Sequence, residues 1–288
     1  MAQRSARLTI NETQCGGGLT GSDKNSGRPS AKRSQIMQPI ARRITKRERF
    51  MAWCVHLYTA TGLVAAAGIA VLIVRGGDDS FRSAFLLMVL ATFIDSTDGW
   101  FARRARVKEV IPSFDGRRLD DLVDFQTYTL LPLLLVWRAD ILPAGQEYWL
   151  LLPLLASAYG FSQTNAKTDD GFFLGFPSYW NVVAFYLYML RLHGWISLAI
   201  IIFLALLTFI PSRYLYPSQG TPFNRLTILL ASLWAILLLL ILARVPLDTR
   251  LLVLISLGFP IYYLLMSWSL TVHRRWRARS QEALPRHT

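Results

Sequence analysis

Eight apolar segments, near residues 51–74, 82–101, 119–137, 148–166, 176–191, 194–211, 225–243 and 249–271, set the strongest limit on what this chain can fold into. Each approaches the roughly 20 residues that a helix needs to cross about 30 Å of hydrocarbon. Lipid offers no hydrogen bonds to the backbone, so only helices and closed barrels span it. Composition agrees: of 288 residues, 53% are hydrophobic and only 17% charged, against about 25% charged in a typical soluble domain. The expected fold is an all-α integral membrane protein with about eight transmembrane helices, the fifth segment being the weakest. Pro112, Pro143, Pro177, Pro211, Pro217, Pro222 and Pro246 fall between or near the ends of these segments, where a missing N–H costs least.

The formal net charge is +13, and it is unevenly placed. Residues 1–50 hold 11 Lys/Arg against 3 Asp/Glu, and five more Arg follow from Arg274 onward. With the N-terminus inside, 25 of the 31 basic residues lie on the inner side, which predicts cytoplasmic termini. On a chain this apolar, basic tails point to an anionic membrane surface and not to nucleic acid. The expected organisation is a disordered basic segment (1–50), a polytopic membrane domain (51–271) and a basic cytoplasmic tail (272–288). Two cysteines, Cys15 and Cys54, offer no disulfide framework.

Against this apolar background, Asp95, Asp98, Asp120, Asp121 and Asp124 are conspicuous, because an ionised carboxylate in a membrane helix is costly without a partner. Asp95 and Asp98 are three apart, and Asp120 and Asp124 four apart, so each pair projects from one helical face. Two antiparallel helices joined by a short basic loop bring those faces together at the inner side. Clustered carboxylates call for a hard divalent cation, Mg²⁺ or Mn²⁺, and such a site suits phosphoryl transfer. Asp121 points off the common face and reads as a cap or a partner for Arg104 or Arg118. Gly99 and Ala102 are small enough to let a ligand approach the backbone, and Arg103 can hold a diphosphate with its fork. Gly116 is expected to end the loop before the third helix.

The spaced set Asp95, Asp98, Gly99, Ala102, Arg103, Gly116, Asp120 and Asp124 resembles the signature of the CDP-alcohol phosphatidyltransferase family of membrane enzymes. Twelve residues separate Arg103 from Gly116 here, where the family usually has eight. That longer spacer resembles the family's bacterial phosphatidylcholine synthase branch, as do residues 55–62, 153–188 and 210–218. The resemblance implies that six of the eight helices form the catalytic core and that the protein sits in a bacterial inner membrane. It implies transfer of the phosphatidyl group of CDP-diacylglycerol to choline, with release of CMP. Asp95, Asp98, Asp120 and Asp124 would then ligate Mn²⁺ or Mg²⁺, and Asp124 would be the general base. Thr59, Gly99, Ala102, Arg103 and Gly116 would line the CDP-diacylglycerol site, with Lys167 as a further phosphate contact. The family pattern often has Asn where His56 stands, so His56 is read as a helix-interface residue. A homodimer is implied by the family alone.

Choline carries a quaternary ammonium that donates no hydrogen bond and is recognised by aromatic faces. Tyr159, Tyr179 and Trp180 are the expected choline contacts. Other acceptors, such as glycerol phosphate, inositol or serine, remain alternatives within the family. An anionic acceptor would want basic residues in 153–192, which holds only Lys167 and Arg191. A transporter with an acidic relay fits less well, since its charges would sit near mid-membrane on related halves.

Overall fold

A computed structural model describes residues 44–163, 172–210, 213–215, 224–244 and 249–282. The chain divides into Met1–Arg43 and Ile44–Thr288, and the described residues all belong to the second unit. Helices dominate it. Four, Lys46–Arg75, Asp78–Arg104, Arg225–Leu242 and Thr249–Ser269, are long and apolar enough to cross a membrane. Helix α1 (Lys46–Arg75) exposes Leu57, Val64, Val71 and Val74, and α2 (Asp78–Arg104) exposes Leu86, Leu90 and Phe93. Apolar stripes of this extent suit lipid, not water. The chain is a membrane protein.

Helix α1 begins at Lys46, inside the stretch expected to be disordered. Thr45 and Glu48 form a reciprocal capping box there, with Glu48 N donating to Thr45 Oγ1 at 3.2 Å and Thr45 N to Glu48 Oε2 at 2.9 Å. At its other end, Gly76 and Gly77 take φ of 71° and 84°, a left-handed turn that side chains resist. That turn folds α2 back along α1, and the two form the most extensive helix pair among the described residues.

The segment between α2 and the next long helix is not a plain basic loop. Arg106 takes a left-handed φ of 49°, and a short helix, α3 (Val107–Val110), follows. Val107, Val110 and Ile111 bury themselves against Ala52 and Val55 of α1, with Ala102 packed on the edge of that cluster. The long spacer therefore seats an apolar plug.

Asp115 then caps α4 (Gly116–Asp124), accepting from the backbone of Arg117 at 3.1 Å and of Arg118 at 3.4 Å. Gly116 is thus the first helical residue, where the loop ends. The helix continues unbroken through a π segment, Phe125–Leu130, into α5 (Leu131–Arg138). Pro132 gives a reason for the π turn, because it lacks the N–H that would bond the carbonyl of Tyr128 and its ring crowds that carbonyl. The Leu131 N–H bonds five residues back to Gln126 O instead.

A 3₁₀ turn (Glu147–Leu150) leads into α6 (Leu151–Ser162). Next come α7 (Trp180–Leu190) and α8 (Gly194–Leu207), both short. Two three-residue strands, β1 (Phe172–Leu174) and β2 (Arg213–Leu215), pair antiparallel with Phe173 opposite Tyr214, the one small departure from an all-helical fold among the described residues. Helix α9 (Asn224–Leu242) is followed by α10 (Thr249–Ser256) and α11 (Gly258–Glu282). The single last helix expected over 249–271 is interrupted at Leu257, where Gly258 and Pro260 restart it, and α11 runs on through the basic tail to Glu282. The main core gathers Ile69, Ile73, Phe85, Leu135, Val136, Trp180 and Ile201, all essentially inaccessible.

Candidate active site

Helices α1, α2 and α4 meet where α2 ends and α4 begins. Asp95, Asp98 and Asp120 each present a carboxylate oxygen, and these oxygens all lie within 4.8 Å of one another. Three of the four expected ligands therefore converge. Asp98, buried at 7% exposure, accepts a 2.7 Å hydrogen bond from Thr59 Oγ1 of α1. Asp95 accepts a 2.8 Å bond from Tyr128 in the π segment. Asp124 follows Asp120 by one turn on α4, and Tyr128 stands four residues further along the same continuous helix. A donor set of carboxylate oxygens at this spacing fits a hard divalent cation such as Mg²⁺ or Mn²⁺.

Cross-helix bonds hold this geometry. Tyr58 and Thr97 hydroxyls lie 2.7 Å apart between α1 and α2, and Asn181 of α7 donates to Thr92 of α2 at 3.3 Å. Residues 92, 95 and 98 are thus tied to three different elements from one side of α2. Close approach matters equally. A Cβ at Gly116 would sit 2.7 Å from His56 Cε1, and one at Gly62 would sit 2.5 Å from Val123. Both contacts press α1 onto α4. His56 is buried between Gly116 and the ring of Phe114, whose centroid is 4.4 Å away, which agrees with its reading as an interface residue.

The remaining expected residues are dispersed. Arg103 is exposed and folds back over Gly99, its Nη1 3.3 Å from where a Gly99 Cβ would stand. Ala102 faces the apolar plug. Asp121 lines a separate surface groove with Arg118, Leu122, Phe125, Ala158, Phe161 and Ser162. Lys167 lies outside the described residues.

The three aromatics expected around choline have different neighbours. Tyr159 is half exposed and packs on Phe209 at 5.2 Å between centroids. Trp180 is fully buried, its indole N–H donating to Ser157 at 2.8 Å. Tyr179 packs its ring 6.2 Å from that of Tyr128, the tyrosine whose hydroxyl bonds Asp95. Tyr128 itself escaped sequence reasoning, although it continues the four-residue spacing of Asp120 and Asp124 on the same helix.

No protein-family model matches the chain. It is 36% identical over 214 residues to a phosphatidylcholine synthase of Pseudomonas aeruginosa, covering 73% of this chain and 87% of that protein. It is 35% identical over 251 residues to the phosphatidylcholine synthase of Legionella pneumophila, covering 84% of this chain and 97% of the relative. With that of Borreliella burgdorferi it shares 34% over 179 residues, 62% of this chain and 75% of the relative. Likeness at this level over nearly the whole of two relatives, in a chain that converges acidic residues at the junction of three helices, means that it belongs to the phosphatidylcholine synthase family.

Proposed function

We propose that this protein transfers the phosphatidyl group of CDP-diacylglycerol to choline and releases CMP. The convergence of Asp95, Asp98 and Asp120 carries the reading, together with the relatives' shared name. Asp95, Asp98, Asp120 and Asp124 would hold Mn²⁺ or Mg²⁺. When bound, the ion neutralises charge on the diphosphate and on the leaving group.

The chain's own residues supply the rest. Thr59 and Tyr128 fix the carboxylates of Asp98 and Asp95. Arg103 extends over Gly99, so that its guanidinium can contact the diphosphate. Asp124 accepts the proton of the choline hydroxyl while that oxygen attacks the phosphorus bearing diacylglycerol. The bond from this phosphorus to the bridging oxygen breaks, and its electron pair leaves with CMP. Gly116 and Ala102 let α4 and α3 close on α1 around the nucleotide end. Lys167, Tyr159, Tyr179 and Trp180 stay candidates for phosphate and choline contact.

The proposed setting is a bacterial inner membrane crossed by eight helices, six forming the catalytic core, with both termini and the active site cytoplasmic. The bias of Lys and Arg supports that orientation. The test is CMP release by the full chain in detergent, with choline, serine, inositol and glycerol phosphate as acceptors. Choline-dependent, Mn²⁺- or Mg²⁺-dependent release is expected, and release with another acceptor but not with choline would overturn the reading.

A further inference from the structure

Three tyrosines from three separate elements stand in a row that begins at the carboxylates. Tyr128 belongs to the π segment, Tyr179 directly precedes α7, and Tyr263 lies on α11. The Tyr128 and Tyr179 centroids are 6.2 Å apart at 51°, and those of Tyr179 and Tyr263 are 6.1 Å apart at 60°. Tyr128 and Tyr263 are each 8% exposed. One end of the row is anchored, since the Tyr128 hydroxyl donates to Asp95 at 2.8 Å. The middle is set by backbone strain: buried Ser178 takes φ of 56° just before Tyr179, a conformation that non-glycine residues hold only when the surroundings impose it.

We propose that Tyr128, Tyr179 and Tyr263 form an aromatic wall that binds the quaternary ammonium of the acceptor alcohol, with α11 supplying its outer ring. The inference rests on the reading of choline as acceptor. Choline is short, so a hydroxyl within reach of Asp124 leaves its methylated nitrogen close to Tyr128, which stands four residues on from Asp124 along the same continuous helix and bonds Asp95. A quaternary ammonium gains nothing from hydrogen-bond acceptors and binds instead to ring faces, with a nearby carboxylate adding attraction. The wall supplies both. It also gives α11 a part in acceptor choice and sets Tyr179 apart from Tyr159, which packs on Phe209, and from Trp180, which donates to Ser157.

Steady-state CMP release by wild type, Tyr179→Leu, Tyr263→Leu and Tyr263→Phe tests this. Each Leu variant should raise the choline KM about tenfold, the effect of losing one cation–π contact, while the KM for CDP-diacylglycerol and the Mn²⁺ half-saturation stay at wild-type values. Tyr263→Phe keeps the ring face and should keep the choline KM. Tetramethylammonium, as an inhibitor competing with choline, should weaken about tenfold in the Leu variants by the same argument, which gives a reading even at low turnover. Unchanged choline KM in both Leu variants, or a Phe variant as impaired as Leu, would overturn the wall alone. A wild type that turns over serine or inositol and ignores choline would overturn the wall and the function together.

Discussion

Helix α2 carries acids at both ends, Asp78 and Asp79 in its first turn and Asp95 and Asp98 about 25–30 Å further along at 1.5 Å per residue. At the first end the partners are cations. Arg82 meets Asp78 at 2.9 Å, and Arg244 reaches Asp78 at 2.6 Å and Asp79 at 2.5 Å, with the Tyr188 hydroxyl also on Asp78. Arg82 further donates to Ile241 O at 3.3 Å, so this end fastens α9 and α7 to α2. At the second end the carboxylates take hydrogen bonds from hydroxyls, Thr59 and Tyr128, and lie within 4.8 Å of a third carboxylate from α4. Acids set against arginines hold helices together, while acids gathered against one another create a demand for an added cation.

The contrast breaks most visibly if charge is removed from the second end. Asp98→Asn and Asp120→Asn should lower CMP release by at least ~10²-fold, and the metal-free variants should unfold no earlier than wild type, because like-charge repulsion is relieved. A lower melting temperature in the metal-free protein would make that end structural too. Gly116→Ala should cost about 2 kcal/mol by forcing a methyl against His56, and His56→Ala in the same chain should restore part of it in a thermal unfolding measurement. Thr59→Val should raise the Mn²⁺ half-saturation about tenfold through loss of a hydrogen bond to a charged acceptor. The smallest effect belongs to the first end: Arg244→Ala should cost no more than about 1 kcal/mol, since its ion pairs are half exposed, and should leave the choline and metal responses alone.

Much of this was legible from residue order. The apolar runs locate α1 and α2, and the three- and four-residue spacing of the aspartates predicts two acidic faces brought together, where Asp95, Asp98 and Asp120 converge. Thr59, which bonds Asp98, was readable only through the resemblance to the family. What escaped depends on contacts distant in sequence. The spacer after Arg104 looks merely basic until Val107, Val110 and Ile111 are seen against α1. The need for glycine at position 116 comes from His56, sixty residues earlier. Pro132 and Pro260 were available signals for the π turn and for the restart of the last helix, yet hydropathy alone smooths over both. Tyr263 carries no local mark at all, since only packing brings α11 to Tyr179.

We propose that the gathered carboxylates of Asp95, Asp98 and Asp120 hold a divalent cation. Mn²⁺ titration of the full chain in detergent, followed by electron paramagnetic resonance of the free ion, tests it most directly. Saturable binding by wild type that is lost in Asp98→Asn and Asp120→Asn but retained in Arg244→Ala is the predicted result; equal binding by wild type and the two Asn variants would contradict it.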